Sequence, residues 1–147
     1  TNILMTLLEQ AKAFREAFNQ ETKDGFAPDG FIKEQLYDMQ LRLIEEEVKE
    51  LDEAATLLKY SPNDLNLQTE VLKELSDVIY VCYQFAAAFG LDLDTAMERV
   101  FESNMSKLDD DGKPTTVPTL RIDNPEDQKR FDEGKLRMER RLKERKK

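Results

Sequence analysis

The sequence predicts an all-α protein: a four-helix core with a metal site between two antiparallel helices, followed by a C-terminal extension. Three observations carry this. Apolar residues recur at helical spacing in four long stretches separated by Gly- and Pro-containing breaks. Two of these stretches carry carboxylates that intrude on or border the apolar face, Glu47 and Glu50 in one and Glu74 and Asp77 in the other. The midpoint between the two pairs falls at Pro62, inside Tyr60-Ser61-Pro62-Asn63-Asp64, the chain's best turn signal.

The first helix is read from Ile3, Leu4, Leu7, Leu8, Ala11, Phe14, Ala17 and Phe18, a periodic pattern that fades near Asn19. Thr22 to Gly30, with Gly25, Pro28 and Gly30, reads as a loop. The second helix runs from about Phe31 to Lys59 and the third from about Leu67 to Phe89, where Gly90 is placed to cap the end. Val71, Leu72, Leu75, Val78, Ile79, Cys82, Phe85, Ala86 and Phe89 make the third helix apolar over a wide arc, which marks it as central. Asp92 or Asp94 caps a fourth helix that continues to Leu108. Residues 1–115 are assigned to this domain and 116–147 to an extended segment and a basic C-terminal helix or tail. Pro125-Glu126-Asp127 opens that last helix. Lys135 to Lys147 holds eight Lys or Arg against Glu139 and Glu144, a net +6 that leaves −15 for the rest of a chain totalling −9. We read this run as a solvated or frayed helix.

Composition excludes several classes of function. Cys82 is the only cysteine, so no internal disulfide forms. The chain has no histidine, which removes the usual activator of a catalytic cysteine and the Glu-x-x-His motifs of di-iron bundles. A net charge of −9 repels a phosphate backbone and argues against general nucleic-acid binding. No apolar run approaches the roughly 20 residues of a membrane span and no signal-peptide pattern opens the sequence, so a cytoplasmic protein is expected.

The carboxylates supply the chemistry. At about 100° per residue, Leu36, Leu43, Ala54 and Leu58 fall within about 40° of Glu47, which therefore points into the apolar stripe. An ionised carboxylate there is costly unless a cation, a hydrogen bond or a metal compensates it, and Glu46 and Glu50 crowd it further. Glu74 and Asp77 share one face of the third helix, three residues apart. An antiparallel hairpin turning at Pro62 brings the four together as a set of oxygen ligands without histidine or thiolate. That set suits Mg²⁺, with Mn²⁺ as the alternative, able also to hold substrate phosphates. On the fourth helix Asn104 interrupts the apolar stripe of Met97, Phe101 and Leu108, with Lys107 close behind it. Asn104 is assigned to metal or phosphate oxygen, and Lys107 and Lys113 to neutralising a polyphosphate. The run Asp109-Asp110-Asp111-Gly112 is not a calcium loop. Aligning Gly112 to that loop's glycine puts Lys107 and Pro118 where acidic ligands are required.

These residues resemble a known family, the all-α nucleotide pyrophosphohydrolases, with their MazG-like, dimeric dUTPase-like and phosphoribosyl-ATP pyrophosphatase-like members. The family signature, Glu-Glu-x-x-Glu followed by Glu-x-x-Asp on the next helix, is matched by Glu46-Glu47-Val48-Lys49-Glu50 and Glu74-Leu75-Ser76-Asp77. Ser103-Asn104-Met105-Ser106-Lys107 and Asp111-Gly112-Lys113-Pro114 are similar to its downstream phosphate-binding segment. Phe14-Arg15-Glu16-Ala17-Phe18 is similar to its first-helix segment, with Arg15 where many relatives carry histidine. The resemblance spans roughly residues 3 to 115. It implies hydrolysis of a nucleoside triphosphate, a dNTP among them, to the monophosphate and pyrophosphate. It also implies a base pocket walled by Phe14, Phe18 and Asn19, with Gln20 a second polar reader. Glu46 is the candidate to accept the water's proton or hold a further ion. The wide arc of the third helix, together with Ile44, Val48, Leu51 and Ala55 on the second, predicts a homodimer or homotetramer, and short family members imply the same. Two rival readings are a non-catalytic metal-binding helical bundle and a helical interaction module.

Overall fold

The structure, a computed structural model, describes residues 4–23, 25–114 and 125–145. It is all-helical: α1 (Leu7–Ala17), α2 (Glu34–Tyr60), α3 (Leu65–Ala88), α4 (Leu93–Met105) and α5 (Pro125–Arg145). The four helices expected for the core are α1 to α4. Ile3 of the expected first helix, the expected extended segment over 115–124 and Lys146 and Lys147 of the basic tail lie outside the described residues.

Local chemistry sets the helix ends. Thr6 caps α1, its hydroxyl accepting from the Glu9 amide at 3.2 Å, so the helix begins later than Ile3 and Leu4 suggest. Asp64 caps α3 by accepting from the amides of Asn66 (2.9 Å) and Leu67 (3.2 Å), which starts that helix two residues earlier than its apolar pattern. At the other end Gly90, at φ 65°, closes a Schellman turn in which its amide donates to Ala87 O and that of Leu91 to Ala86 O. Asp92 is the cap of α4, its carboxylate accepting from the Thr95 amide and hydroxyl. That helix stops at Met105 rather than Leu108, because residues 106–108 turn off into a loop closed by an antiparallel bridge between Leu108 and Pro114.

The chain forms two compact units, Thr1–Met97 and Glu98–Lys147. In the first, α2 and α3 pack along each other and α1 packs on α3. Only Ser61–Asp64 connects α2 to α3, so the two run antiparallel as a hairpin turning at Pro62. Leu8 and Ala11 of α1 pack with Tyr83, Ala86 and Ala87 of α3, and Leu93 at the start of α4 closes the same cluster. Leu36 packs with Ala88 and Phe89 beside Tyr37 and Phe85. Ala87 and Ala88 are fully buried, small residues that let the neighbouring backbone approach α3 closely.

The segment between α1 and α2 is strapped to that end of α3. The amides of Lys23 and Gly25 donate to the carbonyls of Ala87 and Ala88, both at 3.0 Å, and Phe26 meets Phe89 edge to face. A β-carbon on Gly25 would lie 2.0 Å from the Phe89 ring, so only glycine fits there. The second unit holds the rest of α4, the 106–114 loop and α5. No helix among the described residues is long and apolar enough to cross a membrane.

Candidate metal centre

Glu47 lies on the stripe of α2 that carries buried Leu36, Gln40 and Ala54, and its side chain is half-buried there. Glu74 projects from α3 and is 5% exposed. The hairpin brings these two and Glu50 together: one carboxylate oxygen from each lies within 4.8 Å of the others. Asp77, one turn along α3 from Glu74, raises the Glu47 pKa by its charge and so belongs to the same field, although it falls outside the set of three. Glu46 is exposed on α2 beside Glu47.

The two walls of the site differ electrostatically. On α2, burial pushes the Glu47 carboxyl above the usual carboxylate range, and Glu50, Asp77 and then Glu74 push it further the same way. On α3, a hydrogen bond from Lys73 holds Glu74 below that range against its burial. Lys73 Nζ lies 3.1 Å from Glu74 Oε1 and 3.4 Å from Asp77 Oδ2. The inner oxygens Glu47 Oε2 and Glu74 Oε2 are buried without a hydrogen-bond partner. Buried acceptors left unpaired, on carboxylates that repel one another, fit a divalent cation with oxygen ligands.

The remaining sequence-predicted residues fall on the end of α1, in the turn after it and in the second unit. Phe14 is half-buried near the end of α1, its ring 4.6 Å from that of Phe18 and edge-on to Tyr80 at 5.6 Å. Phe18 ends the helix as its exposed C-cap, and Asn19 follows at φ 53°, a left-handed conformation that asparagine tolerates. Gln20 is exposed. A groove of 310 Å³ between α1 and α3, lined by Leu7, Ala11, Ile79, Tyr80 and Tyr83, opens on the face of α3 turned away from Glu74. In the second unit Asn104 is exposed and its Oδ1 accepts from Lys107 Nζ at 2.8 Å. Met97, Phe101 and Leu108, read as a stripe around it, are exposed as well. Lys113 shapes the following loop through its backbone, its amide donating to Asp109 Oδ1 and its carbonyl accepting from the Asp109 amide, both at 2.8 Å.

Besides Gln84, 4% exposed on α3, two buried polar residues escaped the sequence reading as structural elements. Arg15 is 1% exposed; its Nε donates to Glu21 O and its Nη1 to Gln84 Oε1 at 3.2 Å, which ties the end of α1 and the turn after it to α3. Gln40, 2% exposed, leaves its Oε1 unpaired two turns before Glu47. Both lie on the buried stripe of their helix, within about 40° of its apolar members, which is the signal that marks them.

The model of the phosphoribosyl-ATP pyrophosphohydrolase family matches residues 11–104, from α1 through the three-carboxylate cluster to the end of α4. No curated protein matches the chain.

Proposed function

The chain belongs to the phosphoribosyl-ATP pyrophosphohydrolase family, and from that premise we propose that it is a Mg²⁺-dependent pyrophosphohydrolase cleaving a nucleoside triphosphate, a dNTP among them, to the monophosphate and pyrophosphate. The observation that carries the reading is the cluster of Glu47, Glu50 and Glu74, whose oxygens converge to within 4.8 Å across the hairpin. Glu47, Glu50, Glu74 and Asp77 hold the cation, Mg²⁺ or in its place Mn²⁺. When bound, the cation neutralises phosphate charge and lowers the pKa of water. Glu46, on the exposed side of the same helix, takes the proton from the attacking water. Asn104, Lys107 and Lys113 act as phosphate-binding donors, and Phe14, Phe18 and Asn19 as the base-binding end of α1.

The chain acts as a homodimer or homotetramer. The support is the exposed apolar side of the hairpin: within the first unit Val48 and Leu57 on α2 and Leu72, Leu75 and Ile79 on α3 are exposed, a surface that two-fold pairing of copies covers. Light scattering at micromolar concentration is expected to give a multiple of 17.1 kDa, and a monomer under conditions of full activity refutes assembly.

The deciding experiment incubates the protein with Mg²⁺ and a panel of dNTPs, NTPs and phosphoribosyl-ATP, and assays pyrophosphate. Release from triphosphates that is lost with chelator supports the reading. Turnover of phosphoribosyl-ATP alone moves the substrate to the one in the family's name. Metal binding without any release leaves a non-catalytic metal-binding bundle, and indifference to metal leaves a helical interaction module.

A further inference from the structure

The α3 carboxylates carry their own counter-ion and the α2 carboxylates do not. Lys73 reaches both Glu74 and Asp77, whereas neither Glu47 nor Glu50 pairs with a lysine or arginine among the described residues. Lys73 immediately precedes Glu74, so its stem leaves α3 about 100° away from the carboxylate it serves. Only a long, flexible side chain curling back can make the contact. That side chain is 60% exposed, while Glu74 is almost wholly covered. The ammonium takes the outer oxygen, Glu74 Oε1, and leaves the buried Oε2 unpaired.

We infer that Lys73 is a displaceable counter-cation of the metal site: it neutralises Glu74 and Asp77 until a divalent cation takes those oxygens, then withdraws to solvent, and so sets the metal concentration at which the site fills. Three observations carry this. The oxygens that Lys73 holds belong to two of the four proposed ligands. The Lys73–Asp77 pair is exposed and the ammonium of both pairs stands in solvent, and such pairs are weak and are surrendered to a doubly charged, closer-binding competitor. The stem is anchored off the metal-facing stripe, so the displaced ammonium has open solvent to enter. The Mg²⁺ affinity of the free protein is then a net quantity, the intrinsic affinity of the carboxylates less the cost of releasing Lys73.

This rests on the metal-site reading above, and the test separates the two. Mn²⁺ alone, without nucleotide, is titrated into the full chain and free Mn²⁺ is followed by electron paramagnetic resonance, for the native protein, Lys73→Met and Lys73→Arg. Loss of the half-buried Glu74 pair and the exposed Asp77 pair is expected to tighten Mn²⁺ binding about three- to tenfold in Lys73→Met. Lys73→Arg, which keeps the charge, is expected to stay at or above the native Kd. Unchanged or weaker binding in Lys73→Met overturns the inference and leaves the metal site standing. Absence of Mn²⁺ binding in all three proteins overturns the metal site itself. Lys73→Gln repeats the measurement if Lys73→Met loses helix content by circular dichroism.

Discussion

Replacing Arg15 with methionine tests how the end of α1 is held against α3. Methionine keeps an unbranched stem of similar length and removes both donors, leaving Gln84 Oε1 and the Glu21 carbonyl without the guanidinium in a site where Arg15 is 1% exposed. Hydrogen bonds from a charged donor contribute about 1.5–3 kcal/mol each, so the gross loss is about 3–6 kcal/mol. Burial opposes the charged guanidinium and lowers its pKa, so removing the charge returns part of that loss. A net destabilisation of about 2–4 kcal/mol remains, the scale of breaking a buried polar network. For a chain of this size each kcal/mol moves Tm by about 2–4 °C, so thermal unfolding by circular dichroism, at fixed protein concentration and with chelator present, should fall by about 5–15 °C. Adding Gln84→Leu should restore part of the loss, because the orphaned amide is then gone. A Tm within about 1 °C of the native protein for Arg15→Met, or losses that simply add in the double variant, refutes the latch.

Glu47→Gln should abolish metal-dependent pyrophosphate release and raise the metal-free Tm, since burial and Glu50 both oppose the charge it removes; a variant that retains turnover at limiting Mg²⁺ contradicts the ligand assignment. The stabilisation given by Mg²⁺ should grow as pH rises from the ordinary carboxylate range through the elevated Glu47 pKa. In that window the folded chain keeps a proton that the unfolded chain has released, so metal-free stability declines while the cation gains an ionised ligand. Glu74, held below its ordinary value chiefly by Lys73, contributes stability that is fully present above that value and is lost only as pH falls through its depressed pKa, outside the window. A Mg²⁺-induced Tm gain that is flat between about pH 4 and 7 contradicts this. Gly25→Ala should cost about 1–3 kcal/mol by urea unfolding, because its new methyl meets the buried Phe89 ring, and an unchanged midpoint would show that the strap is not packed as described.

Much of this was legible in sequence because the signals are local. A helix repeats every 3.6 residues, so a glutamate in line with Leu36, Leu43, Ala54 and Leu58 announces itself without any tertiary knowledge, and Pro62 announces the turn. What escaped depends on a partner elsewhere in the chain. Arg15 lies in line with Leu8 and Ala11, but an arginine on an apolar stripe is tolerable only because Gln84 and the Glu21 carbonyl receive it, and nothing near Arg15 names them. Gly25 reads as an ordinary loop glycine until Phe89 is set against it. Phe18 continues the apolar period of α1 in sequence, yet the helix ends one residue earlier and the ring is exposed. The counter-ion role of Lys73 was missed for a different reason. Lys73 and Asp77 stand at i,i+4 and read as an ordinary surface pair, whereas a helical wheel puts Lys73 about 100° from Glu74, and only the curl of a long stem makes that second contact.

The position of the carboxylates follows from the unequal lengths of the helices. At about 1.5 Å per residue α1 spans about 17 Å, whereas α2 and α3 extend for about 40 and 36 Å. α1 therefore covers only the half of α3 that carries Tyr83, Ala86 and Ala87, and beyond it Leu72 and Leu75 remain exposed. Glu74 and Asp77 sit at the border between the covered and uncovered halves, opposite Glu47 and Glu50 on α2. A fully covered position would bury four carboxylates beyond the reach of a charged phosphate, and a position near the hairpin tip would leave them too solvated for mutual repulsion to favour a cation. At the border Glu74 is almost wholly buried while Lys73 and Glu50 remain in solvent. The cluster thus has one side where burial opposes the Glu47 charge and one side open to solvent, the two properties that the proposed cation site requires of it.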